Sequence, residues 1–215
     1  MAAMERTSLG DGSYYFKMTN PIPTYLIALA AGVFEEIPIS DRVSVIAEPK
    51  MAKAAAEEFS DAEKMVQAAE DLFGSYAWKR FDIFIMPPSF PYGGMENPTM
   101  TFIGPTVVAG DKSLVDVIAH ELSHSWAGNY VTNQNWDEFW INEGTTMYLE
   151  RLIVAQLYGK DLRDIDIVLG QKILEDNINL IMGPDKKGAP LTRLKLELSH
   201  DFDPDDAVSH VPYEK

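Results

Sequence analysis

The chain has 215 residues, 46% of them apolar, enough for one well-packed domain or a compact two-lobed one. Its net charge of −15, with never more than two Lys/Arg side by side, argues against nucleic acid and anionic membrane as partners and favours a cationic ligand group. Cysteine is absent, so disulfides and thiolate metal ligands are excluded, and a reducing, cytoplasmic location is expected. No apolar stretch reaches transmembrane length and the first twenty residues lack the apolar run of a signal peptide, so a soluble protein is expected.

In chain order, residues 14–18, 25–31 and 43–47 read as strands, punctuated by Asn20-Pro21, Pro23, Pro38 and Pro49. The apolar run 22–34 is expected to be a buried strand. Ala55, Phe59, Ala62, Val66, Ala69 and Phe73 then follow a 4/3 spacing that predicts one core-facing helix stopped by Gly74. Residues 81–86 alternate apolar and polar and predict a half-buried strand halted by Pro87-Pro88. A Gly/Pro-rich loop over 87–94 leads to another strand at 99–103.

Residues 113–127 predict a helix, with Leu114, Val117, Ile118, Glu121 and Leu122 on the 3/4 spacing, Asp111 or Ser113 as its cap and Gly128 at a left-handed C′ position. A further helix runs from Trp136 or Asn142 to Tyr158, stopped by Gly159. The last covers 161–182, ended by Gly183-Pro184. The remainder, 185–215, is an acidic connection around one apolar stretch, 191–198. The fold class expected is mixed α+β, strands first and helices after.

Within the 113–127 helix stands His120-Glu121-Leu122-Ser123-His124, and eighteen residues later comes Glu143 in Trp140-Ile141-Asn142-Glu143-Gly144. Helix residues four apart lie about 40° apart around the axis, so the two imidazoles point the same way. With a carboxylate from a second helix they supply three corners of a tetrahedral zinc site, the fourth being left for water. Glu121, about 100° round the helix, sits where it can take a proton from that water.

Other residues are less specific. Gly93-Gly94 would let a substrate backbone come close, although such pairs are also ordinary turns, and Glu96 would add a fixed negative charge. Glu150, two turns after Glu143, either accepts a ligand imidazole's N–H or is a solvated glutamate beside Arg151. Tyr213 could donate to an oxyanion or simply pack. His200 and His210 read as surface histidines.

The combination resembles a known family. Pro91-Tyr92-Gly93-Gly94-Met95-Glu96-Asn97-Pro98, the zinc pattern with Ser125-Trp126, Tyr148-Leu149-Glu150-Arg151 and Val211-Pro212-Tyr213-Glu214-Lys215 are similar to the gluzincin aminopeptidases, in the clade of leukotriene A-4 hydrolase and aminopeptidase B.

The resemblance implies a thermolysin-like zinc metallopeptidase catalytic domain over 1–215. It would be a fragment, because family members add an N-terminal β-domain and a C-terminal helical domain. It further implies one Zn2+ per chain held by His120, His124 and Glu143, with Glu121 as general base and Tyr213 as oxyanion stabiliser. Glu96 would anchor the substrate's α-amino group, Gly93, Gly94 and Met95 would contact substrate, and Glu150 would support a ligand imidazole.

The expected partners are peptides with a free N-terminus. A lipid epoxide is the second substrate class, because Asp205 falls where the leukotriene hydrolases direct water. Val208 replaces a tyrosine of their lipid pocket, a departure that bears on the epoxide reaction and not on the peptidase one. A catalytically silent zinc-binding fragment is the third reading.

Overall fold

The computed structural model describes residues 1–185, 187–198 and 208–215. Strands β1 (Glu5–Ser8) and β2 (Tyr14–Lys17) form an antiparallel hairpin. A five-stranded mixed sheet follows, built from β3 (Glu35–Pro38), β4 (Val43–Ala47), β5 (Phe81–Ile85), β6 (Gly94–Met95) and β7 (Met100–Ile103). Its order is β3-β4-β5-β7-β6, with β4, β5 and β7 parallel and both edges antiparallel. Every residue of β4 and β5 is buried, as parallel strands covered on both faces require.

Helices α1 (Pro49–Glu58) and α2 (Ala62–Phe73) make the crossover between β4 and β5. Then come α3 (Asp116–Ser123), α4 (Phe139–Tyr158), α5 (Lys160–Met182) and the single turn α6 (Val211–Glu214). The strand-rich part thus precedes the helical part of the mixed fold. One core joins the layers: Val43, Val45, Phe81 and Ile83 from the sheet, Ala55, Phe59 and Val66 from the crossover, and Ile118, Leu122 and Ile153 from α3 and α4.

Four expectations are corrected. Residues 25–31 are no strand: Thr24–Leu26 is a 3-10 turn, and Ile27, Leu29 and Val33 are exposed while Leu26 and Ala28 are buried. The single helix ending at Phe73 is two, broken around Ser60, with Asp61 as N-cap of α2. Both pieces bury the same apolar stripe, so the periodicity runs through the break unchanged. Asp82, a polar position of β5, is fully buried instead of solvent-facing, and Arg6 and Arg80 pair with it at 2.9 Å each.

The zinc-motif helix is also shorter than its spacing predicts. Val115 precedes it without a side-chain cap, and Asp111 Oδ1 instead accepts the Ser113 amide in a turn at 3.0 Å. Glu58 fixes that turn, its two carboxylate oxygens each accepting a backbone N–H, from Gly110 and Lys112, at 2.9 Å. Among the described residues no helix is long and apolar enough to cross a membrane.

Candidate metal centre and peptide site

His120 lies inside α3, and His124 is its C-cap, still helical at φ −57° and ψ −22°. Thus only one of the two histidines is mid-helix. The chain then tightens, with Ser125 N–H donating to Leu122 O at 2.9 Å and Trp126 N–H to Ser123 O at 3.0 Å. The buried face of Ile118, Ala119 and Leu122 holds α3 on the core, so both imidazoles are carried by a fixed support.

The Nε2 atoms of His120 and His124 each lie 3.3 Å from the same oxygen, Glu143 Oε2. A tetrahedron with arms of 2.0–2.1 Å has edges of about 3.3–3.4 Å, so the spacing is that of three ligands around one ion. Glu143 Oε2 is buried and has no hydrogen-bond partner among the described residues, as expected of an oxygen aimed at a cation. The three residues form a group able to hold a metal ion, and the residues present fit zinc.

The other nitrogen of each ring is tied down. His120 Nδ1 meets Glu150 Oε2 at 3.0 Å, and Glu150 is buried, not solvated. His124 Nδ1 meets the Ala127 carbonyl at 2.9 Å and Thr146 Oγ1 at 3.0 Å. Nδ1–H donation in both rings leaves Nε2 as the nitrogen that a metal ion would take. Gly128, at φ +126°, passes the His124 ring so closely that a Cβ there would lie 2.9 Å from Nδ1.

Charges in this pocket are strongly coupled. Burial works against a charged His124, yet Glu143 and Glu96 raise it to about 9. His120 is likewise raised well above its ordinary value, burial being outweighed by the Glu143 and Glu150 carboxylates beside its ring. Burial opposes ionisation of Glu143, but His124 and His120 hold its pKa at about 2.

Glu121 is buried and burial pushes its pKa up to about 8, with the two histidines opposing and Glu96 and Glu143 adding. Its Oε2 has no partner among the described residues. A Cβ at Gly94 would overlap the Glu121 carboxylate, so Gly94 makes room for Glu121 rather than chiefly for a substrate backbone. At Gly93 the equivalent space is open. Met95 pairs with Phe102 along the edge strand β6.

Glu96 is buried, and its carboxylate comes within 4.8 Å of ligand atoms of Glu121 and His124. Asn129 Nδ2 fixes it by donating to its carbonyl at 2.7 Å. Tyr213 on α6 stacks on His120 with centroids 6.1 Å apart and planes at 23°. Burial, then the carboxylates of Glu143, Glu121 and Glu96, push its phenol well above the usual value, keeping it a hydrogen-bond donor. His210 is exposed, as expected, while Asp205 and His200 lie outside the described residues.

Three contributors escaped the sequence reading. Thr146 shares the α4 stripe of Glu143 and Glu150, three and four residues away, a spacing that could have revealed it. Asn129 has no such local signal. Tyr25 accepts a hydrogen bond from Asn142 Nδ2 at 3.3 Å, and burial together with the charge of Glu96 raises its phenol.

The chain is similar to known proteins over nearly its whole length. The described relatives include leukotriene A-4 hydrolase of Xenopus laevis, 50% identical over 94% of this chain and 32% of its own length, and aminopeptidase B of Mus musculus, 46% identical over 96% and 31%. Among solved structures, native yeast LTA4 hydrolase superposes with a TM-score of 0.90 at 44% identity, covering 97% of this chain and 33% of that one. Yeast LTA4 hydrolase in complex with Bestatin gives 0.91 at 43%, covering 98% and 33%. The chain spans about a third of the length of the relatives it matches. Residues 57–215 match the peptidase family M1 domain, and the chain belongs to that family.

Proposed function

We propose that this chain carries the catalytic centre of a zinc aminopeptidase that cleaves the first peptide bond of substrates with a free N-terminus. One observation carries the reading: two imidazole Nε2 atoms converge at 3.3 Å on one Glu143 oxygen, beside a buried Glu121 oxygen, and among the described residues neither oxygen has a hydrogen-bond partner. His120, His124 and Glu143 would hold the ion, which when bound polarises the scissile carbonyl and acidifies a water molecule.

The remaining work falls to the chain's own side chains. Glu121 takes the proton of the attacking water on its free oxygen and passes it to the leaving amine. Glu96 pairs with the substrate's α-ammonium group. It thereby sets how far a peptide enters, so that only the first peptide bond reaches Glu121. Tyr213 donates its O–H to the carbonyl oxygen as negative charge develops there. Glu150 and Thr146 keep the imidazoles in the tautomer that presents Nε2.

The lipid-epoxide reading depends on Asp205, which lies outside the described residues. The test is Glu121→Gln, assayed on amino-acid anilides with metal content measured alongside. Zinc should remain at one per chain while kcat falls roughly 10²–10⁴-fold. Full activity in the zinc-replete variant would reject the assignment, as would turnover that survives chelation of the parent.

A further inference from the structure

The phenol of Tyr213 is carried by an element too short to hold itself. α6 is one turn of four residues, and an isolated turn has no helical cooperativity to fix a side chain. Its position over His120 must come from contacts with its neighbours. Three converge on it from α4 and α5. A Cβ at Gly144 of α4 would lie 2.8 Å from the Pro212 carbonyl oxygen, so the backbones of α4 and α6 touch there. Two turns along α4, Arg151 Nη2 donates to Glu214 Oε2 at 2.8 Å, while its Nε donates to Asp166 Oδ2 of α5 at 2.6 Å. Gly170 of α5 lies directly against this pair, since a Cβ there would overlap Glu214 and lie 2.5 Å from Arg151 Nη2.

The Arg151 and Glu214 side chains are only 14% and 8% exposed, so water cannot readily replace either partner. Glu214 directly follows Tyr213, and the same α4 that supplies Glu143 and Glu150 supplies Gly144 and Arg151. We propose that Arg151 is a positioning residue for Tyr213: through Glu214 it locks α6 to the metal-bearing helix and sets the phenol over the reacting carbonyl. Arginine suits the place because its planar fork reaches Asp166 and Glu214 at once, which a lysine ammonium cannot do in the same geometry.

This rests on the reading of Tyr213 as oxyanion donor, and the experiment separates the two. Arg151→Met, Arg151→Lys, Glu214→Gln, Tyr213→Phe and the double variant Arg151→Met/Tyr213→Phe are compared for kcat, KM and zinc content on an amino-acid anilide. Tyr213→Phe should lower kcat about 10²–10³-fold. Arg151→Met should lower kcat at least tenfold with KM within about twofold and zinc unchanged, and Arg151→Lys should recover part of the loss. The double variant should be no slower than Tyr213→Phe alone, because the two changes remove one interaction.

Amide exchange gives a readout independent of turnover: in Arg151→Met and in Glu214→Gln, residues 208–215 should exchange at least tenfold faster while 139–150 stay protected. Losses that multiply in the double variant, or unchanged exchange over 208–215, would overturn the positioning role alone. Full kcat in Tyr213→Phe would overturn the oxyanion reading and the proposal with it.

Discussion

Glu150 accepts the Nδ1–H of His120 at 3.0 Å, and it does so from α4, two turns beyond Glu143. The helix that offers a carboxylate to the ion therefore also orients an imidazole from the helix opposite. Replacing Glu150 by Ala frees the ring to rotate and removes the charge that raises its basicity. Zinc affinity should fall about 10–100-fold, measured by competition with a chromogenic chelator. An affinity within twofold of the parent's would show that the bond does not support the ligand.

Gly94 is defined by what it touches. Any side chain there must displace the Glu121 carboxylate, which lies against it. Gly94→Ala should lower kcat roughly 10–100-fold, the scale of a misplacement of about 1 Å in a reacting group. Zinc content should not change, because the ligands lie on other elements. Unaltered kcat would mean that Glu121 tolerates another position.

Glu96 should act on binding more than on chemistry. Removing its charge by Glu96→Gln forfeits an ion pair with the α-ammonium group worth about 1.5–3 kcal/mol. KM for an amino-acid anilide should then rise about 10–100-fold, with a smaller change in kcat. Should KM hold and kcat alone collapse, Glu96 would have to be assigned to the reaction itself.

A separate cluster predicts acid sensitivity. Arg42, just before β4, pairs with Glu63 at 3.0 Å and Glu70 at 2.7 Å on α2. The hydrogen bond from Arg42 holds Glu70 below its ordinary 4.5; for Glu63, burial pushes upward but the bonds from Arg42 and Ser40 outweigh it. Carboxyls lowered in the folded state contribute stability that is complete above the unfolded value near 4.5 and lost as pH falls through the folded values. Arg42→Met should cost about 1–2 kcal/mol at pH 7, and the cost should shrink as pH drops below 4.5. Thermal melts of both proteins at pH 7 and pH 3 decide it: an equal Tm gap at both would contradict the linkage.

The candidate ligand group has a partly local geometry. His120 and His124 lie one helical turn apart, and Glu143 and Glu150 share one face of α4, so only the packing of α4 on α3 had to come from the fold. The core strands Val43–Ala47 and Phe81–Ile85 were legible for a similar reason: short runs rich in β-branched and aromatic residues, bounded by turn signals, need no partner to be recognised. The edge strand β3 was not. Glu35–Pro38 holds two acids and a proline, which an edge strand tolerates and a sequence pattern discounts.

Conversely, the apolar run around Leu26 looked like a strand, but forming one depends on a free sheet edge and not on its own composition. The contact of Gly94 with Glu121 joins an edge strand to a helix remote in sequence, and no periodicity encodes it. The same holds for Asn129 beneath Glu96.

α4 acts as a ruler. Glu143 and Gly144 mark one end, Glu150 and Arg151 the other, and each helical residue advances the face by about 100°. Inserting or deleting a single residue between Gly144 and Glu150 would swing one end away from its partners while leaving the helix itself intact. Apart from Thr146, this stretch can therefore vary in side chains but not in length.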